Sequence, residues 1–193
     1  MNNIQTMNNA GVTKETAHPL AKELMESAFF WDLDDPNGPF GSEGGEDGMQ
    51  QYLAWRTKQG GSDTFLFIDR LLYKDWGFPV INLYERDPMK VMSSMDSSQY
   101  RTIDILLDMD HAIIGIVYTK IVLDGELTYK LQQIAIASIE RQIHPKMENL
   151  YQPSVWKDRK HKYSIMKALL ASFDLRPTAE DMRTAGTSIF LRR

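Results

Sequence analysis

The fourteen residues 111–124, HAIIGIVYTKIVLD, constrain the fold more than any other stretch. They are apolar on almost every side, so other elements must enclose them. Two structures compete for such a run. Isoleucine and valine favour a strand. The length without a turn signal favours a helix, as do Asp110 in an N-cap position and Gly125 just past the end. The expected form is a buried central helix.

The segments around it are amphipathic at helical period, with a face to lay against such a helix. Pro19 suits a first helical position, and Leu20, Leu24, Ala28 and Trp31 form one stripe from there. A second helix should begin between Glu43 and Asp47, with Met49, Tyr52, Leu53 and Trp55 inward, and end at Gly60-Gly61. Ser62 is a good N-cap for a third, carrying Phe65, Ile68, Leu72 and Trp76, with Gly77 and Pro79 as its stop. Residues 78–84 read as extended. Asp87-Pro88 opens a short methionine-rich helix (Met89, Met92, Met95), and Ser97 or Ser98 caps the next.

Beyond the central run, Glu126 to Ile143 places Leu127, Leu131, Ile134, Ala135, Ser138 and Ile139 on one face, and Pro145 stops it. A basic helix follows, roughly Trp156 to Phe173. About seven helices with little strand predict an all-α fold, a single-domain multi-helix bundle over residues 17–193. Residues 1–16 are polar and aperiodic and read as a flexible tail. Within the domain, residues 17–143 form the core and 154–193 a basic helix and tail.

Length and composition permit this. The chain has 193 residues, 42% of them apolar, with four Trp, eight Tyr and eight Phe to fill a core. It has no cysteine, so disulfides, thiolate metal sites and thiol nucleophiles are excluded. The first residues lack the apolar core of a signal peptide, and no run reaches the ~18 apolar residues of a membrane span. A soluble, cytoplasmic protein is expected.

Charge is uneven. Residues 152–193 hold nine Lys/Arg against four Asp/Glu, a net +5; the remainder hold 13 against 22, a net −9, giving −4 for the chain. An acidic body does not suit nucleic acid, where affinity comes from neutralising phosphates. It suits a basic partner.

The acidity concentrates in residues 31–48, WDLDDPNGPFGSEGGEDG, with six carboxylates and no Lys, Arg or His. Trp31, Asp32, Asp34, Asp35, Phe40, Glu43, Glu46 and Asp47 are the candidate binding residues. Clustered carboxylates suit a divalent cation. Asp32, Asp34 and Glu43 fall at positions one, three and twelve of a calcium loop. Pro36 at five, Asn37 where glycine belongs, and Pro39 at eight break that pattern, so an EF-hand is rejected. The packing alternative is a solvated turn whose acids favour the start of the second helix, with Trp31 and Phe40 anchored in the core.

Other constellations are weaker. Asp108 with Asp110, or Asp34 with Glu46, could form an acid–base pair, though Asp110 already has a capping role. No two of the four histidines lie at i+3 or i+4, so no helix presents paired imidazoles to a metal. His18 could cap its helix or pack near the acidic loop. The run KDRKHK (157–162) could touch nucleic acid or an acidic surface; it reads more readily as a solvated helix face, or as a partner for the protein's own acidic loop. No phosphate loop, nucleophile elbow or dinucleotide fingerprint is present.

Four stretches together carry a resemblance: HPLAKELMESAFFWD (18–32), PFGSEGGEDGMQQYLAW (39–55), FIDRLLYKDWGFPVINL (67–83) and DHAIIGIVYTKIVLDGEL (110–127). Over about residues 18–143 the chain resembles the YfeS-like bacterial proteins related to the MolR group. The resemblance implies a helical bacterial domain without an established activity, and supplies no catalytic residues. The function expected is therefore a non-catalytic protein-binding module without cofactor, in the manner of an immunity protein, engaging a basic partner through its acidic surface. The alternative is a divalent-metal-binding protein or metal-dependent enzyme centred on residues 31–48.

Overall fold

A computed structural model describes residues 12–59, 63–95, 99–148, 150 and 159–174. Among these residues there are eight α-helices and no strand. They are α1 (Pro19–Leu24), α2 (Glu43–Gln59), α3 (Thr64–Arg70), α4 (Pro88–Ser94), α5 (Gln99–Asp124), α6 (Tyr129–Gln142), α7 (Pro145–Glu148) and α8 (Arg159–Asp174). The fold is all-α, as the periodicity predicts. No helix among the described residues is long and apolar enough to cross a membrane.

The central run is helical, and longer than expected. α5 is one continuous helix of 26 residues, with no break before Asp110. Leu106, Met109, Ile113, Ile116, Val117, Tyr118 and Ile121 are all buried. α1, α2, α4 and α6 pack around it, and α8 covers α6. Asp110 is therefore no N-cap; it lies inside the helix and points into the core.

The glycines of the acidic stretch serve this packing. Gly44, Gly45 and Gly48 lie inside α2, whose cap is the Ser42 hydroxyl, accepting from Gly45 N at 3.1 Å. Glu43 and Glu46 lie in the first turn, where the helix dipole favours carboxylates. A Cβ on Gly44 would come 2.8 Å from the Asp108 carbonyl oxygen, one on Gly48 2.9 Å from that of Ala112, and one on Gly115 of α5 2.4 Å from that of Gly45. Interior glycine costs a helix about 1 kcal/mol relative to alanine. Here it lets two backbones meet where any side chain would hold them apart.

Several boundaries differ from the sequence reading. The helix from Pro19 ends at Leu24, and a separate 3₁₀ turn spans Ala28–Trp31. Its buried face carries Ala21, Met25 and Phe30, while Leu20 is 49% exposed. The break rotates the stripe, so a period drawn across it selects the wrong side. Asp63 caps α3, accepting from Phe65 N and Leu66 N; Gly60, Gly61 and Ser62 lie outside the described residues. Pro145 begins α7 rather than simply stopping α6. Asp87 caps α4 and Gly125 (φ +69°) ends α5, both as predicted. Of the expected tail, residues 12–16 are described: Val12 is buried, and Ala17 N donates to Thr13 O at 3.0 Å. Ser97, Ser98, Trp156 and residues 175–193 lie outside the described residues.

Candidate functional site

The structure divides the acidic stretch into two halves with different surroundings. In the first, residues 32–35 satisfy one another and the rest of the chain. Asp32 Oδ1 accepts from Asp34 N at 2.9 Å. Asp35 Oδ1 accepts from Asn37 N at 2.9 Å, and its Oδ2 lies 2.7 Å from His161 Nε2 of α8. Burial pushes the Asp35 carboxyl up, but the hydrogen bonds from Asn37 and His161 outweigh it and hold the group below its ordinary value. The basic run thus does meet the protein's own acidic loop, at His161.

The Trp31 indole donates to Met25 O at 2.7 Å, and Trp31 is half-buried. Phe40, grouped with the binding residues by sequence, is a core residue at 1% exposure. Tyr52 is equally buried and donates to or accepts from Thr64 Oγ1 at 3.0 Å. Neither ring offers itself to a partner. An open groove of about 780 Å³ runs along this half, lined by Phe29, Trp31, Asp32 and Asp34 together with Lys14 and His161.

The second half is built differently. Glu43 and Asp47, four residues apart on α2, lie beside Asp108 of α5 because the glycine contacts bring these helices together. Past α3 the chain widens into a π-helical turn, Leu71–Asp75, in which Trp76 N donates to Leu71 O at 2.9 Å and Phe78 N to Leu72 O at 2.9 Å. Such π-turns recur at functional sites because they re-aim the side chains that follow. Here they turn Trp76 and Phe78 toward the three carboxylates. The two rings stand edge to face, 5.5 Å apart at 73°. The result is a cleft of about 340 Å³ lined by the three carboxylates together with Trp76 and Phe78.

Charge in this cleft is not balanced from within. Burial raises the Asp108 carboxyl, and the like charges of Glu43, Asp104 and Asp47 raise it further. Glu46, between the two lining acids, turns aside and accepts from Gln50 Nε2 at 2.8 Å. The arrangement can receive a cation: carboxylates supply charge, and ring faces attract a positive group that has shed some water. Among the described residues no group of three His, Asp or Glu side chains converges as metal ligands.

A third polar cluster is structural. Arg141 of α6 and Asp110 of α5 form an ion pair whose side chains are 0% and 1% exposed. Arg141 Nε donates to Asp110 Oδ1 at 3.1 Å, and Nη2 donates to the same carboxylate and to Ser138 Oγ. Nη1 donates to the carbonyls of Leu83 (3.2 Å) and Glu85 (2.5 Å). Every donor of the guanidinium that faces protein is used, which lets a charge lie in the core. Beside it, His111 Nε2 lies 3.2 Å from Gln142 Oε1, while Gln142 Nε2 is buried with no hydrogen-bond partner. Burial and the nearby Lys162 push His111 down to about 3, and burial pushes Lys162 of α8 down to about 8.

Neither acid–base pair suggested by the sequence forms. Asp108 faces the open cleft and Asp110 the core, although they are two residues apart. Asp34 lines the groove while Glu46 bonds to Gln50. His18 caps α1 through Nδ1, accepting from Leu20 N at 3.3 Å, and its ring lies against Gly125 at the end of α5. Trp76, Phe78 and Asp108 are the cleft residues that sequence reasoning did not assemble. The motif Trp-Gly-Phe-Pro reads as a helix stop, and only the π-turn reveals its rings as a wall.

Compared with protein-family models, with curated proteins and with solved structures, the chain finds no match.

Proposed function

We propose that the protein is a non-catalytic binding module that takes a cationic side chain of a basic protein partner into the cleft of Glu43, Asp47, Asp108, Trp76 and Phe78. One observation carries this reading: among the described residues, three carboxylates and two half-buried aromatic rings, with no cation, line one space of about 340 Å³. A lysine or arginine head fits that chemistry, because its charge meets the carboxylates and its face or stem meets the rings. The net −9 of residues 1–151 would steer such a partner. An immunity-like role, neutralising a basic protein, belongs to this proposal, as do membership of the YfeS-like group and a cytoplasmic location. The family reading rests on the order of the four stretches in the sequence.

The test is titration with an arginine-rich peptide, read by tryptophan fluorescence and calorimetry. Binding should be salt-sensitive, and should fall in Asp47→Asn/Asp108→Asn and in Trp76→Leu. Equal affinity in wild type and these variants would remove the cleft from the proposal. Crosslinking capture with wild type and the double variant then identifies the partner.

The like-charge crowding at Asp108 motivates a second reading, a divalent cation taken by Glu43, Asp47 and Asp108 with or without an attached activity, for which these side chains would have to draw together, since no three acids among the described residues converge as ligands. Calorimetric titration with Ca²⁺, Mg²⁺, Mn²⁺ and Zn²⁺ separates the two, since the aromatic wall contributes nothing to a hydrated metal. Trp76→Leu would then leave binding unchanged.

A further inference from the structure

A different cavity, of about 320 Å³, opens between α4 and the first half of α5. Among the described residues its wall contains Met89, Met92 and Met95, with Ser93, Thr102 and Ile103 beside them. The three methionines recur every third residue, Met89-Lys-Val-Met92-Ser-Ser-Met95. α4 holds them in place through its Asp87 cap and Pro88 at the first position, and Met95 closes the helix by donating its N–H to Met92 O. We propose that the thioethers of Met89, Met92 and Met95 form a site for a soft monovalent ion, Cu(I).

The donor chemistry selects that ion. Thioether sulfur is uncharged and polarisable, and prefers Cu(I) to hard cations. No carboxylate or imidazole lines the described wall, so nothing there suits Mg²⁺, Ca²⁺ or Zn²⁺. A neutral ligand set also suits one positive charge better than two in a half-enclosed space. The other polar donors of the described wall are the Ser93 and Thr102 hydroxyls, hard oxygens that Cu(I) binds less readily than thioether sulfur. The chain has no cysteine, so no thiolate competes for a soft ion. Methionine often serves merely to fill gaps in a core. Here Met89 is 38% exposed and Met92 partly so, and Met95, at 6% exposure a core residue, also lines the cavity, whereas Met25, Met49, Met109 and Met166 are not among its lining residues. Three rotatable bonds each allow the sulfurs to converge on an ion without moving the helix.

The experiment is anaerobic titration of the full chain with Cu(I) against a chromophoric Cu(I) chelator. Ag(I) serves as the redox-inert probe, and X-ray absorption reads the first shell. Wild type should bind one equivalent through sulfur. Loss of an outer-shell partner typically weakens a metal site by about 10–100-fold, so Met92→Leu and Met95→Leu should each weaken binding at least about tenfold. The triple Met→Leu variant should not bind, and Met166→Leu should bind as wild type. The inference is overturned if wild type takes no Cu(I) from the chelator, if the first shell contains nitrogen or oxygen in place of sulfur, or if the triple variant retains its affinity. Should the triple variant fail to fold, unchanged affinity in both single variants overturns it equally. None of these readouts involves the acidic cleft, so the two proposals succeed or fail separately.

Discussion

Asp108 and Asp110 stand two residues apart on one helix and live under opposite rules. Asp110 faces inward to Arg141, where a buried charge survives because a guanidinium and a serine hydroxyl surround it. Asp108 faces outward to Glu43 and Asp47, where like charges crowd it and no cation lines the wall among the described residues. The first is satisfied inside the fold and contributes to holding it. The second is crowded by like charges, and the proposed cationic partner rests on that crowding. Four substitutions can break or sharpen this contrast.

The largest effect should come from Asp110→Asn. It leaves the Arg141 charge uncompensated in the core, and breaking a buried pair this way costs about 3–5 kcal/mol. Urea unfolding should show it as a lower midpoint. A loss below about 1 kcal/mol would mean that the pair behaves as a surface one.

Next in size is Gly115→Ala. The added methyl meets the Gly45 carbonyl oxygen at 2.4 Å, on a backbone that cannot turn away. Overpacking of this kind costs about 1–3 kcal/mol, against the helix preference for alanine. A lower thermal midpoint is expected, and cleft binding should weaken with it, because this contact sets Glu43 and Asp47 beside Asp108. A stabilised variant would show that α2 and α5 do not meet backbone to backbone.

A moderate effect should appear on acidification through His111. Its folded-state value of about 3 lies below the ordinary 6.5, so the unfolded chain binds the proton more readily. The corresponding stability is fully present above pH 6.5 and is lost as pH falls toward 3. Measured from pH 7 to 4, unfolding free energy should fall less steeply in His111→Gln than in wild type. Parallel curves would remove His111 from the account.

The smallest stability effect, and the most informative sign, belongs to Asp108→Asn. The raised carboxyl means that the native state holds its proton to higher pH than the unfolded chain, so stability declines as pH rises through that interval. Removing the charge should leave stability unchanged or raise it by up to about 0.5 kcal/mol, while weakening the cationic peptide. A fall in both would make Asp108 structural, like its neighbour Asp110.

Much of the architecture was legible in the residues. The apolar run 111–124 had to be enclosed, and its neighbours carried the period of helices that could enclose it. Asp87-Pro88 and Gly125 mark real ends because a capping oxygen, a fixed φ and a tolerated positive φ are local properties. The inner face of α6 was legible too, since Leu131, Ile134, Ala135, Ser138 and Ile139 share one side of one unbroken helix. Arg141 on that face was not, because a charged residue reads as solvent-facing until its partner on another helix is known.

The acidic stretch shows where sequence alone ends. It determined that six carboxylates fall within eighteen residues and that no EF-hand can form there, since Pro36 and Pro39 occupy ligand and packing positions. It could not determine which carboxylates face one another. The tertiary structure decided that: His161 arrives from α8 to occupy Asp35, the glycines of α2 admit α5 close enough to bring Asp108 beside Glu43 and Asp47, and a π-turn swings Trp76 and Phe78 across from them. Helical period and capping depend on neighbours a few residues away. The meeting of charges and rings depends on how closely two backbones approach, and only the folded chain sets that distance.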